Sequence, residues 1–146
     1  MTVRLKTKPT LEIDKEGTKW WLLNGELHCE DGPAIEYANG DKKWYINGEP
    51  HREDGPAVKY ATGSKSWYRY GFRHREDGPA IEYADGSKLW YLNGKLHRED
   101  GPAIEFPDGR KEWWLNDNSY KFDDWLNKNT SLTDEEKVMM KLTYGQ

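Results

Sequence analysis

The chain has 146 residues, the size of one ordinary domain, which leaves no room for a second catalytic one. Leu, Ile, Val and Phe make only 23 of those residues, a share that suggests disorder unless other apolar groups compensate, and here 8 Trp and 9 Tyr supply them. A formal charge of −4, from 22 basic and 26 acidic residues, excludes a global basic footprint for duplex DNA or an anionic membrane surface.

No stretch approaches the apolar length of a membrane span, and the opening MTVRLKTKPT has no apolar signal core, so the expected location is the cytoplasm. The single cysteine, Cys29, leaves no internal disulfide framework and no Cys-based zinc site. No cofactor and no metal are expected.

Residues 1–16 read as an irregular lead strand. Leu11 and Ile13 alternate just before Glu16-Gly17, one residue out of phase with the copies that follow. Its outer edge has no evident cover, which leaves homo-oligomerisation through the N-terminal edge open.

Residues 17–116 are a repeat with a period of 23. HREDGPA begins at His51, His74 and His97, and HCEDGPA at His28. Seven residues before each His stands a Trp: Trp21, Trp44, Trp67 and Trp90, with Trp113 at the same interval in a fifth copy whose Tyr120 replaces the His. Asn-Gly pairs (Asn24-Gly25, Asn47-Gly48, Asn93-Gly94) and a second turn set (Asn39-Gly40, Thr62-Gly63, Asp85-Gly86, Asp108-Gly109) punctuate each copy, and both are hairpin signals. Treating Asp85-Gly86 as a two-residue turn places Tyr83 opposite Lys88 and Ile81 opposite Trp90. That register predicts an apolar face holding the Ile and Trp columns as core. It predicts a wetter face holding Ala34, Glu36 and an aromatic row, Tyr45, Tyr68, Tyr91 and Trp114. A hairpin of this kind cannot bury its own apolar face, so neighbouring copies must stack.

Residues 117–146 break the pattern. Phe122, Trp125 and Leu126 fall at helical spacing, and Thr133-Asp134-Glu135-Glu136 is a capping box ahead of an apolar stripe of Val138, Met139 and Leu142. Two short helices are expected to cap the last hairpin. The fold class is therefore mainly β: an elongated twisted antiparallel β-meander of about five 23-residue hairpin repeats with a small C-terminal helical cap.

The string WYLNGKLHREDGPAIEYADGSK resembles a MORN repeat, a 23-residue unit built around aromatic-x-x-Asn-Gly and a closing Tyr-x-Asp-Gly. The HREDGPA form is similar to a variant group with bacterial antitoxins among its members. Together with the FDDWLNKN and LTDEEKVMMKL tail, it also resembles MORN-like proteins of tailed bacteriophages. The resemblance implies a single antiparallel sheet and interaction with other molecules rather than chemistry. The phage likeness implies a small accessory protein in the host cytoplasm, acting on a host factor. Pro-Ala stands where ordinary MORN units carry Gly-x-Gly, and a Trp row stands where they carry Tyr.

The row His28, His51, His74 and His97, with the turn aspartates Asp31, Asp54, Asp77 and Asp100, has two readings. One is a pH-sensitive or metal-binding ladder. The preferred one is structural, because equal spacing makes ladders whereas a metal needs ligands that converge on a point. Arg52, Arg75 and Arg98 are expected to pair with carboxylates between neighbouring turns, and Cys29, among acidic neighbours, is read as incidental. The contact candidates are Tyr45, Tyr68, Tyr91 and Trp114, because aromatics on a polar face pack or bind. Joining them are Arg69, Tyr70, Phe72 and Arg73, where the third copy departs from Asn-Gly. A protein partner is the expectation, since Tyr, Trp and Arg dominate interface hot spots. A binder of single-stranded nucleic acid or nucleotides is the alternative, through stacking on the same rings. Membrane binding is not expected, and with no phosphate loop, nucleophile elbow or metalloprotease helix in the sequence, neither is enzyme chemistry.

Overall fold

The fold was obtained as a computed structural model that describes residues 2 and 4–145. The chain divides into two units, residues 1–73 and 74–146. In the first, β1 (Thr10–Ile13) pairs antiparallel with β2 (Lys19–Leu23). The ladder continues through β4 (Ile35–Glu36), β5 (Lys42–Lys43), β8 (Val58–Lys59) and β9 (Lys65–Ser66). Side hairpins hang off it: β3 (Glu26–Leu27) on β2, β6 (Tyr45–Ile46) with β7 (Glu49–Pro50), and β10 (Tyr68–Arg69) with β11 (Phe72–Arg73). The second unit repeats the plan. Its ladder runs β12 (Ile81–Glu82), β13 (Lys88–Leu89), β16 (Ile104–Glu105), β17 (Lys111–Leu115) and β18 (Asn118–Tyr120), with β14 (Tyr91–Leu92) and β15 (Lys95–Leu96) as the side hairpin. Each unit is thus an antiparallel meander of hairpins, and the second ends in helices α1 (Phe122–Lys128) and α2 (Asp134–Tyr144). Among the described residues no helix is long and apolar enough to cross a membrane.

The two kinds of turn do different work. Asn47 and Gly48 both lie at positive φ, 47° and 79°, and Ile46 faces Glu49 across them, which makes a two-residue type I′ hairpin. Asp85-Gly86 does not behave this way. Glu82 pairs with Lys88 and Ile81 with Leu89, Tyr83 N–H reaches Ser87 O at 2.9 Å, and only Gly86, at φ 96°, is left-handed. That is a three-residue loop closed by a glycine bulge, so the register is shifted by one residue from the expected one. A one-residue shift reverses which residues share a face.

The shift relocates the core. Trp44 and Trp90 do not face the Ile column; they stand at a break, between β5 and β6 and between β13 and β14. Trp90 N–H donates to Ala103 O at 2.8 Å in the main ladder, while Trp90 O accepts from His97 N–H at 3.1 Å in the side hairpin. The tryptophan is the corner where the chain leaves one sheet for the next, and its ring is half-buried. The buried column is instead Ala-Ile or Ala-Val: Ala34, Ala57, Ala80 and Ala103 are each 0% exposed, beside Ile35, Val58, Ile81 and Ile104. Ala34, expected on the wetter face, is core.

The cap forms one apolar cluster. Trp113, Trp125 and Leu126 are buried, with Leu115, Tyr120, Phe122, Leu132, Met140 and Tyr144 packed around them. Thr133 and Glu136 close the capping box reciprocally, Glu136 N–H donating to Thr133 Oγ1 and Thr133 N–H to Glu136 Oε2. The expected stripe is turned outward: Val138, Met139 and Leu142 are exposed, and α2 presents Met140 and Tyr144 to the cluster. Those two residues complete the cluster because Tyr144 meets Trp113 edge-on at 5.0 Å. Trp125→Ala, at a site 0% exposed, is expected to cost about 3–5 kcal/mol and to lower the urea midpoint clearly, as read by near-ultraviolet circular dichroism.

Candidate functional site

The conserved spacing within each copy builds one turn with two outward-reaching groups. His28 is buried, and its Nδ1 accepts the main-chain N–H of Asn47, 19 residues on, at 2.9 Å. The same bond joins His51 to Tyr70 (2.9 Å), His74 to Asn93 (3.0 Å) and His97 to Asn116 (3.0 Å). Because Nδ1 is the acceptor, the ring proton sits on Nε2, which faces the carboxylates of Glu30, Glu53, Glu76 and Glu99 at 3.5, 3.5, 3.4 and 3.2 Å. The histidines therefore serve the left-handed two-residue turn of the following copy (Asn47-Gly48, Tyr70-Gly71, Asn93-Gly94 and Asn116-Asp117), not the Asp-Gly-Pro turn they precede.

The arginines close their own turns. Arg52 Nε donates to Asp54 Oδ1 at 2.9 Å and Nη1 to Pro56 O at 3.2 Å; Arg98 does the same with Asp100 and Pro102, and adds Glu105 Oε1 at 3.1 Å. The expected pairing between neighbouring turns is replaced by this within-turn clasp. The guanidinium also lies over the corner tryptophan ring, Arg52 over Trp44 at 4.1 Å and Arg98 over Trp90 at 3.9 Å. The periodic Trp-x7-Arg spacing carried this contact, but only a sheet break at the Trp brings ring and guanidinium face to face.

The contact candidates fall into two groups. Tyr45, Tyr68, Tyr91 and Trp114 are half-buried, and their main-chain carbonyls accept the N–H groups of Cys29, Arg52, Arg75 and Arg98 at 3.1–3.2 Å. They hold successive copies together at the backbone. Trp114 Nε1 further donates to Glu112 Oε2 at 3.1 Å. Arg69, Tyr70, Phe72 and Arg73 are all exposed, on the hairpin of β10 and β11, with Phe72 directly across from Arg69. Tyr70 and Phe72 are 59% and 60% exposed. Tyr70 occupies the left-handed turn position, φ 46°, that Asn fills in the other copies, and its ring lies 4.2 Å from that of His51. Arg73 Nε donates to the Tyr68 hydroxyl at 3.2 Å. The aspartates Asp31, Asp54, Asp77 and Asp100 stand exposed at the turn tips. Among the described residues no group of His, Cys, Asp and Glu is placed to hold a metal ion.

Acid should weaken the turns whose aspartates are held ionised by a neighbour. The guanidinium hydrogen bonds of Arg52 and Arg75 hold Asp54 and Asp77 below their ordinary value near 3.8, and the main-chain N–H groups of Ser87 and Arg110 do the same for Asp85 and Asp108. A carboxylate whose pKa is lower folded than unfolded stabilises above the unfolded value and loses that contribution as pH falls through the folded one. Urea midpoints are therefore expected to fall progressively below about pH 4. At neutral pH, His97→Ala orphans the Asn116 N–H and is expected to cost about 1–3 kcal/mol. His97→Asn, which retains an acceptor near the Nδ1 position, should lose less in the same urea titration.

No known family model matches the chain, and the comparison with curated proteins finds no match.

Proposed function

We infer that the chain is a non-catalytic, MORN-like repeat scaffold that binds a protein partner, with the third-copy hairpin as the centre of the contact surface. The observation that carries this reading is the exposure of Tyr70, on a two-residue turn, and of Phe72, which follows it at the start of β11. A bulky aromatic at φ 46° is costly where Asn serves elsewhere, since positive φ disfavours L-residues with large side chains by about 1–2 kcal/mol. A destabilising choice at an exposed, aromatic and basic tip suits a binding surface better than a packing one. Arg69 stands directly across from Phe72, and Arg73 follows it on the same exposed strand.

Reverting the tip to the pattern of the fourth copy, Tyr70→Asn with Phe72→Lys, tests the reading. Tyr70→Asn is expected to leave stability unchanged or to raise it by up to about 1 kcal/mol. The double variant should lose at least about tenfold in affinity for a protein captured by the wild-type chain, since hot-spot aromatics each carry more than that factor. A captured protein held equally by both forms would exclude this surface. Binding of a short oligonucleotide that weakens steeply with salt would move the reading to single-stranded nucleic acid.

A further inference from the structure

In three copies the turn holds its own arginine; in the first it does not. Cys29 stands where Arg52, Arg75 and Arg98 stand, yet the frame around it is intact. His28 accepts the Asn47 N–H at 2.9 Å, and Cys29 N–H donates to Tyr45 O at 3.1 Å, as Arg52 N–H does to Tyr68 O. Every group that receives the guanidinium elsewhere has its counterpart here: Trp21 for the stacking ring, Asp31 for the Nε acceptor, Pro33 O for the carbonyl, and Glu36 for the second carboxylate. These four residues line an open cavity of about 900 Å³.

The glycine of each turn measures what lies above it. A Cβ on Gly55, Gly78 or Gly101 would meet the guanidinium carbon of Arg52, Arg75 or Arg98 at 3.2, 3.0 and 2.7 Å; a Cβ on Gly32 would meet nothing within 4 Å. Among the described residues Asp31 has no hydrogen bond or ion pair, and Glu36 is paired only with Lys42, at 3.7 Å. Lys8 also lines the cavity and makes no ion pair with either carboxylate.

We propose that the turn of the first copy is a receptor for a guanidinium group supplied from outside the chain, either an arginine side chain of a polypeptide or a small free guanidinium compound. The ligand plane stacks on Trp21, its N–H groups donate to Asp31, Pro33 O and Glu36, and its body lies over Gly32. The receiving geometry is built before the ligand arrives, which limits the ordering cost of binding. A planar fork is favoured over an ammonium, because lysine cannot stack and bridge both acceptors at once. The site does not depend on the third-copy surface proposed above.

The test follows Trp fluorescence and amide NMR shifts of residues 29–32 during titration with N-acetyl-arginine methylamide, its lysine counterpart and methylguanidinium. The arginine probe is expected to give saturable shifts, with a dissociation constant on the order of 1 mM for so few ligand atoms, and the lysine probe at least about tenfold weaker binding. Gly32→Ala fills the space over the turn without touching a neighbour, and should abolish the shifts while leaving the fold unchanged. Cys29→Arg should supply the group internally, abolish binding and raise the melting temperature. Methylguanidinium binding as tightly as the arginine probe would identify small cations as the source; a clear advantage for the peptide-like probe would identify a polypeptide arginine. Absence of saturable shifts, or wild-type binding by Gly32→Ala, would overturn the proposal, and the Gly32→Ala result stands even if Cys29→Arg does not fold.

Discussion

The main-chain amides of a left-handed two-residue turn are the constraint on which the rest depends. In a type I′ hairpin the flanking residues exchange the closing hydrogen bonds, and the N–H groups of both central residues are left pointing away. Leaving such donors unsatisfied away from water costs about 1–3 kcal/mol each. Here the preceding copy takes both: Asn47 N–H goes to His28 Nδ1 and Gly48 N–H to Leu27 O, just as Asn116 goes to His97 and Asp117 to Leu96. The turn thus cannot be completed without its neighbour. The same histidine bond occurs at four places, two in each unit, and it explains why a polar ring is buried at each of them.

A second consequence concerns how a chain poor in aliphatics buries enough surface. The short strands β4, β8, β12 and β16 each bring one branched residue into the core, with an alanine immediately before it, as in Ala34-Ile35 or Ala103-Ile104. Alanine at 0% exposure allows the backbones to approach closely around the corner that each tryptophan makes. The tryptophan ring is then left with one face toward the turn, and the arginine of the same copy covers it with a guanidinium that is already held by an aspartate and a carbonyl. Stem and plane both contribute, as expected of a side chain that packs its apolar length and presents its charge to water.

Much of this was legible in the residues. The 23-residue period, the mainly β character, the antiparallel hairpins and the two terminal helices follow from spacing alone, and Thr133 and Glu136 form the capping box their positions imply. The register was not legible. Asp85-Gly86 and Asn93-Gly94 look alike as dipeptides, yet only the asparagine enters the left-handed region, and the aspartate instead binds Ser87 N–H at 2.8 Å to shape a three-residue loop. That single difference moved Trp44 and Trp90 to the corners and the alanine column into the core, while Trp113 stays buried under the helices. The face of α2 was also misplaced: Val138, Met139 and Leu142 share a stripe, but β17 offers Trp113, and Tyr144 and Met140 are what reach it. Composition could not reveal the clasp of Arg52 and Arg98 on their own turns, because the neighbours that decide it are a ring eight positions earlier and a carbonyl four positions later.

The two terminal copies show how a repeat is ended by the same groups that propagate it. The first Asn-Gly turn has no histidine before it, and there the Asn24 side chain bonds both ways with the lead segment, accepting Lys6 N–H at 2.9 Å and donating to Lys6 O at 3.1 Å. The last HRED turn receives one more hairpin, whose Asn116 N–H reaches His97, and the helices then take the carbonyls of the turn itself: Trp125 Nε1 donates to Arg98 O at 3.2 Å and Asn129, 2% exposed, to Glu99 O at 2.7 Å. At each end side-chain amides and an indole bond main-chain groups: Asn24 those of Lys6, Trp125 the carbonyl of Arg98 and Asn129 that of Glu99. By this logic Cys29 is a different kind of departure, since the groups around it keep their repeat geometry while the side chain that closes the other turns is missing.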